Sequence, residues 1–377
     1  MKTAKDLSSG MPSSGTKPHY EILDGLRGVA AVMVVAFHIS EAHTLDRFEQ
    51  VINHGYLAVD FFFVLSGFVI GYAYDDRWGK MTVGDFFKRR LIRLHPLVIM
   101  GMIIGATLFY FGGSAIFPLI HDIPVWKMLV YMVLGMLLIP MPPSMDIRGW
   151  EEMYTLDAPS WTLFFEYIAN IFYALFIRKF SKKALAVLVF LAACATVHLI
   201  LTTAGDINGG WSFTETHLRF GFTRLLYPFF AGLLLYRMGK PIHVKHAFLW
   251  CSLLVVIALS MPRIGDSEHV WMNGLYESFC IIILFPLIVF WGASGKIKSK
   301  YASRICKFLG DISFPLYITH YPVMYLYIGW ISDTHHTFSE AIWVVLLVVV
   351  SSIALAYACL KLYDEPVRRW LRKRYNG

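Results

Sequence analysis

Charge is what this chain has least of. Only 16% of its 377 residues are Asp, Glu, Lys or Arg, while 57% are hydrophobic and the mean hydropathy is +0.55. A soluble domain of this length carries charge on about 25% of its residues, so that class is excluded. Cysteine is sparse as well. Cys194, Cys251, Cys280, Cys306 and Cys359 are scattered without metal-ligand spacing, which implies neither a disulfide framework nor a metal site. The first twenty residues lack an apolar centre and a cleavage-like site before Tyr20. They read as a short disordered cytoplasmic tail, 1–20, and not as a signal peptide. Internal repeats, heptads and low-complexity tracts are missing too, and no long soluble extension flanks the apolar region. Residues 21–377 therefore read as one membrane domain. The net charge of +8 would suit a nucleic-acid ligand, but Lys and Arg fall in short loops between apolar runs, as membrane topology requires. No nucleic-acid partner is implied; the partner is the lipid bilayer.

What the chain has instead is apolar runs of spanning length. They lie at 25–43, 56–75, 96–117, 123–142, 160–177, 184–203, 223–238, 247–262, 274–292, 312–332 and 340–362. The tail and the loops at 77–93, 178–183, 240–246, 296–307 and 368–374 are basic and are expected on the cytoplasmic side. Alternation between those loops leaves one net crossing for 96–142, although that stretch holds two runs broken by Gly112, Gly113, Pro118, Pro124 and Pro140. The fold class predicted is all-α: a polytopic integral membrane protein with about ten transmembrane helices, one re-entrant or interfacial segment, and both termini cytoplasmic. The far-side connections at 143–159 and 204–222 mix Trp150, Tyr154, Trp211 and Phe213 with Asp157, Asp206, Asn208 and Glu215. Aromatic faces with polar edges suit sugar rings, and they equally suit a membrane interface.

Ionisable groups inside apolar helices are costly and mark function by default. The first run, DGLRGVAAVMVVAFHISE over 24–41, holds Arg27 and His38. Eleven residues separate them, about 16 Å along a helix and nearly the same face. Asp60 sits in GYLAVDFFFVLSGFVIG at a depth matching that of His38 in an antiparallel pair, where a carboxylate fixes an imidazole tautomer and raises its basicity. It could equally cap its own helix. Glu166, in SWTLFFE, lies about two turns into the fifth run from the far side, which sets it near the depth of His38. His320 lies between Pro315 and Pro322 in ISFPLYITHYPVM, where a carbonyl freed by proline could satisfy it. The stretch FFKRRLIRLHP at 86–96 carries Lys88, Arg89, Arg90 and Arg93 on the same side as Arg27. Such a cluster anchors to anionic lipid or converges on a multiply phosphorylated ligand, which arginine forks hold bidentately.

These segments together resemble the integral-membrane acyltransferase-3 family, whose bacterial members transfer acetyl or other acyl groups to carbohydrates. The resemblance rests on the basic residue and histidine eleven apart, Arg27 and His38, and on GYLAVDFFFVLSGFVIG, FFKRRLIRLHP, SWTLFFE, ISFPLYITHYPV and the closing YDEPVRRWL, six motifs in order across nearly the whole chain. It implies ten spans in a bacterial cytoplasmic (inner) membrane and a cytoplasmic donor, acetyl-CoA or another acyl-CoA. It also implies an extracytoplasmic or lipid-linked carbohydrate acceptor, an essential histidine at His38 and a donor-side role for Arg27. Some members append an extracytoplasmic hydrolase-like domain; this chain has none, so transfer would finish in the membrane domain or on a separate extracytoplasmic partner.

The expected site is then His38 as general base or transient acyl carrier, Glu166 or Asp60 orienting it, and Arg27, Arg89, Arg90 and Arg93 on the donor phosphates, with no metal. A proton-coupled saccharide transporter is the alternative use of buried His, Asp and Glu. It needs no phosphate site, and the inverted repeats common in transporters are not evident.

Overall fold

The computed structural model describes residues 19–44, 46–203, 205–239, 243–266 and 268–375. The expected tail, 1–20, lies almost entirely outside them. The described chain is helical, without β-strands: α1 (Glu21–Glu41), α2 (Ala58–Tyr74), α3 (Val83–Leu108), α4 (Val125–Met136), α5 (Ser160–Leu175), α6 (Lys182–Thr202), α7 (Glu215–Met238), α8 (Ala247–Ser260), α9 (Trp271–Phe279), α10 (Phe285–Ser294), α11 (Lys300–Thr334), α12 (Ile342–Ala358) and α13 (Glu365–Tyr375). Two π-helical turns, Cys280–Leu284 and Cys359–Asp364, join α9 to α10 and α12 to α13 without a break.

Seven helical stretches among the described residues are long and apolar enough to cross a bilayer: Glu21–Glu41, Gly55–Tyr74, Val83–Gly112, Lys182–Thr202, Glu215–Met238, Trp271–Ser294 and Ile342–Tyr375. The protein is thus polytopic and all-α. The apolar run at 123–142 forms only the twelve-residue α4, about 18 Å long against a hydrocarbon core of about 30 Å. Several helices begin before the apolar runs do. α3 starts at Val83, where Thr82 and Asp85 form a reciprocal capping box, and so absorbs 86–96 as its opening turns. α11 starts at Lys300 and runs 35 residues. Hydropathy marks the part of a helix in lipid, whereas capping side chains mark where the helix begins.

Two helix pairs form the frame. α1 lies along α11, and α2 along α7. In each pair a glycine faces the partner's backbone: Gly28 meets Leu309 and Gly310 meets Asp24, while Gly67 meets the Phe229 carbonyl and Gly232 the Val64 carbonyl. A Cβ at any of these positions would collide. Without hydrophobic drive between helices in lipid, close backbone approach is what gives such pairs their dispersion energy. The connection 146–159 folds inward over the bundle. Asp146 receives the amides of Arg148, Gly149 and Glu151, Leu156 packs against Gly105 of α3, and the Met153 amide bonds to the Trp211 carbonyl at 2.8 Å. The connections that hold Met153 and Trp211 thereby form one cap.

Candidate active site

His38 lies one turn from the end of α1 and opens onto a cavity of about 440 Å³ beneath that cap. Its Nδ1 is 3.0 Å from Glu41 Oε2. A carboxylate only accepts, so Nδ1 carries the proton and Nε2 is left as the basic nitrogen. The imidazole stacks on His320, with centroids 5.6 Å apart, and meets the edge of Tyr321 at 4.8 Å. His320 is fully buried. Its Nδ1–H donates to the Leu316 and Tyr317 carbonyls, at 3.0 and 2.8 Å. Pro322 frees the Ile318 carbonyl, so these bonds are not to the proline-freed group that the sequence suggested. Trp150, Trp161, Trp211, Asn208, Glu152 and Arg224 complete the polar and aromatic wall. Of the far-side residues noted in the sequence, Asp206 is instead held by Arg47 and, at 3.1 Å, by Arg263.

A second cavity, of about 310 Å³, holds Arg27, Arg90, Arg93 and Arg368 together with Ser66, Glu166 and Ser313. Arg27 is tied to Asp24 (2.6 Å) and Ser313 (2.9 Å), Arg90 to Glu166, and Arg368 to Asp364 (2.7 Å). Four carboxylates line this cavity beside the four arginines: Glu166, Asp311, Asp364 and Glu365. Among the described residues, Arg93 is the cavity arginine that forms no close ion pair, with Asp24 and Asp364 acting on it only at longer range, and it is exposed. It is the guanidinium most available to an anion. Arg89 is exposed elsewhere and does not line the cavity.

The structure thus brings Arg27, Arg90, Arg93 and Glu166 into one cavity and His38 into the other. Glu166 accepts from Ser66 Oγ at 2.8 Å as well as from Arg90. Asp60, fully buried, binds Arg224 Nη2 at 2.8 Å. Arg224 also donates to the Tyr56 carbonyl (2.6 Å) and the Gly209 carbonyl (3.0 Å) and lies 5.3 Å from the Trp161 ring. Asp60 therefore anchors a guanidinium that faces the His38 cavity, and neither Asp60 nor Glu166 bonds to His38 itself.

Four residues of the site are absent from the sequence reading: Glu41, Glu152, Arg368 and Arg224, whose partner Asp60 lies 164 residues away. Glu41 had a signal, since it lies three residues from His38 on the same helical face. Glu152 had none: it lies in a connection that looks like a surface loop. It is buried, accepts from Tyr325 Oη, and its carboxyl is pushed up from 4.5 to about 8 by that burial. It enters the cavity as a neutral acid at pH 7. Arg368 belongs to the closing YDEPVRRWL motif and reaches the cavity through the π-turn that precedes α13. The two cavities share two lining residues, Val59 and Tyr317. A basic chamber and a histidine chamber thus meet at a wall one side chain thick.

Over residues 20–361 the chain matches the acyltransferase-3 family, described as an acyltransferase domain. It is 32% identical over 199 residues to "Protein 2 in picA locus" of Rhizobium radiobacter, covering 51% of this chain and 98% of that protein. A Staphylococcus aureus (strain COL) protein provisionally named an O-acetyltransferase is 23% identical over 80% of this chain and 50% of its own length. A Bacillus subtilis (strain 168) protein provisionally named a peptidoglycan O-acetyltransferase is 23% identical over 92% of this chain and 54% of its own. The chain spans about half the length of these last two. No solved structure matches it.

Proposed function

The chain belongs to the acyltransferase-3 family and is an acyltransferase, and from that premise we propose that it moves an acetyl group from cytoplasmic acetyl-CoA to a hydroxyl of an extracytoplasmic or lipid-linked carbohydrate. The observation that carries this reading is the pair of cavities meeting at Val59 and Tyr317. The arginine cavity adjoins the start of α1 and the opening of α3, where the basic loops expected in the cytoplasm cluster. Arg93 and Arg27 there suit the phosphates of coenzyme A. Arg27 and His38 stand about 16 Å apart along α1, the order of length of the arm between the phosphates and the thioester of that donor. The other cavity supplies tryptophan faces, Asn208 and a neutral Glu152 for a sugar.

In the reaction the acceptor hydroxyl oxygen attacks the thioester carbonyl carbon. The new C–O bond forms as the C–S bond breaks, with its electron pair leaving on sulfur. His38 Nε2 takes the hydroxyl proton and then returns it to the departing thiolate, while Glu41 stabilises the imidazolium through Nδ1–H. O-acetyltransferase naming among the relatives supports acetyl as the group and carbohydrate as the acceptor class. Membranes containing the protein, given acetyl-CoA labelled in its acetyl group, should place label on an envelope glycan as an alkali-labile ester. His38→Ala should lower that transfer by about 10²–10⁴-fold, the usual contribution of a general base. Label transfer by the His38→Ala protein at the wild-type rate would remove the mechanism.

A further inference from the structure

The acyl transfer passes through a charge that His38 does not meet. Attack of the hydroxyl oxygen on the thioester carbon pushes the carbonyl electron pair onto oxygen, and that oxyanion persists until the pair returns and the C–S bond breaks. His38 holds the hydroxyl proton meanwhile. The oxyanion calls for a donor already fixed at the cavity wall, and the hydrogens of Arg224 can be counted to find one. A guanidinium carries five N–H. Nε–H points to Asp60 Oδ1 at 3.4 Å, and Nη2 uses its two hydrogens on Asp60 Oδ2 at 2.8 Å and the Tyr56 carbonyl at 2.6 Å. Nη1, the nitrogen that Asp60 does not touch, gives one hydrogen to the Gly209 carbonyl at 3.0 Å. Its second hydrogen has no acceptor among the described residues. Arg224 is 1% exposed, yet it lines the cavity onto which His38 opens. Four tied hydrogens and the Trp161 ring at 5.3 Å hold the plane still, so the unspent N–H belongs to a rigid group in the reaction chamber.

We propose that Arg224 is a catalytic residue of the transfer, its free Nη1–H donating to the oxyanion of the tetrahedral intermediate while Asp60 holds the guanidinium in place. The inference rests on the acyl-CoA reading above. Arg224 gains and loses no proton in the cycle, since a guanidinium does not deprotonate in a protein. The C–O bond forms, the carbonyl pair moves to oxygen and returns, and the C–S pair leaves on sulfur, which takes the proton from His38 Nε2. Asp60 and Arg224 together are neutral, so the wall offers the uncharged thioester of bound donor one ordinary hydrogen bond. That bond becomes charge-assisted at both ends only once the oxyanion has formed. An interaction that strengthens in this way raises kcat and leaves the KM of the donor alone.

Two coenzyme A ketones test this without an acceptor. Trifluoroacetonyl-CoA takes up water to become tetrahedral at the carbonyl carbon, whereas acetonyl-CoA, the same ketone without fluorine, stays planar. The full chain, purified in detergent, should bind the first about 100-fold or more tighter than the second, as sites complementary to a transition state do. Arg224→Lys keeps the charge, and its three N–H suffice for Asp60, Tyr56 and Gly209 with none left over. The ratio of the two affinities should collapse toward one in that variant while acetonyl-CoA binds as in wild type. Should Arg224→Lys fail to fold, Asp60→Asn with Arg224→Leu, which carries neither charge, is read in the same way. In membranes that supply their own envelope glycan as acceptor, labelled-acetyl transfer by Arg224→Lys should fall about 10²–10³-fold in kcat, with the KM for acetyl-CoA unchanged. A ratio near one in wild type, a variant ratio equal to that of wild type, or a loss of transfer lying wholly in KM overturns the assignment and leaves the acyl-CoA reading intact. Binding of neither ketone by wild type overturns both.

Discussion

Replacing Arg224 with Leu tests what the fully buried carboxylate of Asp60 is for. The guanidinium holds Asp60 through two nitrogens, at 2.8 and 3.4 Å, and also serves the carbonyls of Tyr56 and Gly209. Removing it leaves a fully buried carboxylate without its ion-pair partner. Breaking one side of a buried ion pair costs about 3–5 kcal/mol, and the two carbonyls left short add to that. Asp60→Asn should cost a similar amount from the other direction, because it leaves Arg224 uncompensated. The double variant, Asp60→Asn with Arg224→Leu, removes both charges and should be more stable than either single variant, a coupling of several kcal/mol. Activity should behave differently. Arg224 faces the His38 cavity, so transfer should remain low in the double variant even as stability returns. The assay is denaturant unfolding in detergent beside labelled-acetyl transfer, for wild type and all three variants. If Asp60→Asn unfolds like wild type and is inactive while Arg224→Leu stays active, Asp60 acts on His38 and the anchoring argument fails.

Other outcomes follow from the same geometry. Arg93→Ala should weaken acetyl-CoA binding about tenfold or more, the value of one charge-assisted contact. Arg89→Ala should leave it near wild type, and equal losses in both would show that the cavity is not the donor site. Glu41→Gln should lower turnover more than donor affinity, since it acts on Nδ1 of His38; kinetics with both substrates varied would separate the two. Glu152 has a folded value of about 8 against an ordinary 4.5. The folded protein therefore binds the extra proton between those values, and stability should fall as pH rises from about 4.5 to 8. Glu152→Gln should flatten that slope in thermal unfolding, though not abolish it, because Asp157 is raised to about 8 by the same burial. A cysteine at Ser144 should react with an impermeant thiol reagent from outside intact cells and one at Lys298 should not; the reverse pattern would invert the topology.

Much of this molecule is legible from residue order because lipid is a strict solvent. A helix such as α1 must be apolar for its whole span, so Arg27 and His38 stand out, and the structure sets each at the mouth of a cavity. What residue order does not carry is which face meets which neighbour. Asp60 and Arg224 are 164 residues apart, and nothing local to either names the other. Glu166 was expected near the depth of His38 by counting turns from the far surface. α5, however, begins beneath the inward-folded 146–159 cap, and Glu166 points toward Arg90. Glu152 escaped notice because a buried, irregular connection has no periodicity to betray it. Glu41 is the instructive omission. Its three-residue spacing from His38 carries the signal, although it stands at the end of α1 and not within the apolar run.

The π-helical turn at Cys359–Asp364 has a consequence for the arginine cavity. A π-turn carries one residue more than an α-turn and rotates everything after it by about 100°. Arg368 lies after that extra residue, and Asp364, its partner, closes the turn itself. The pair faces the arginine cavity through the phase of the helix as much as through its composition. Deleting a single residue from the turn would keep both side chains and swing Arg368 roughly a quarter turn aside, toward lipid or solvent. Residue identity can thus be kept at the edge of this cavity while its chemistry is lost, and a peptide fused after α13 that twists the helix end would act on the arginine cavity in the same way.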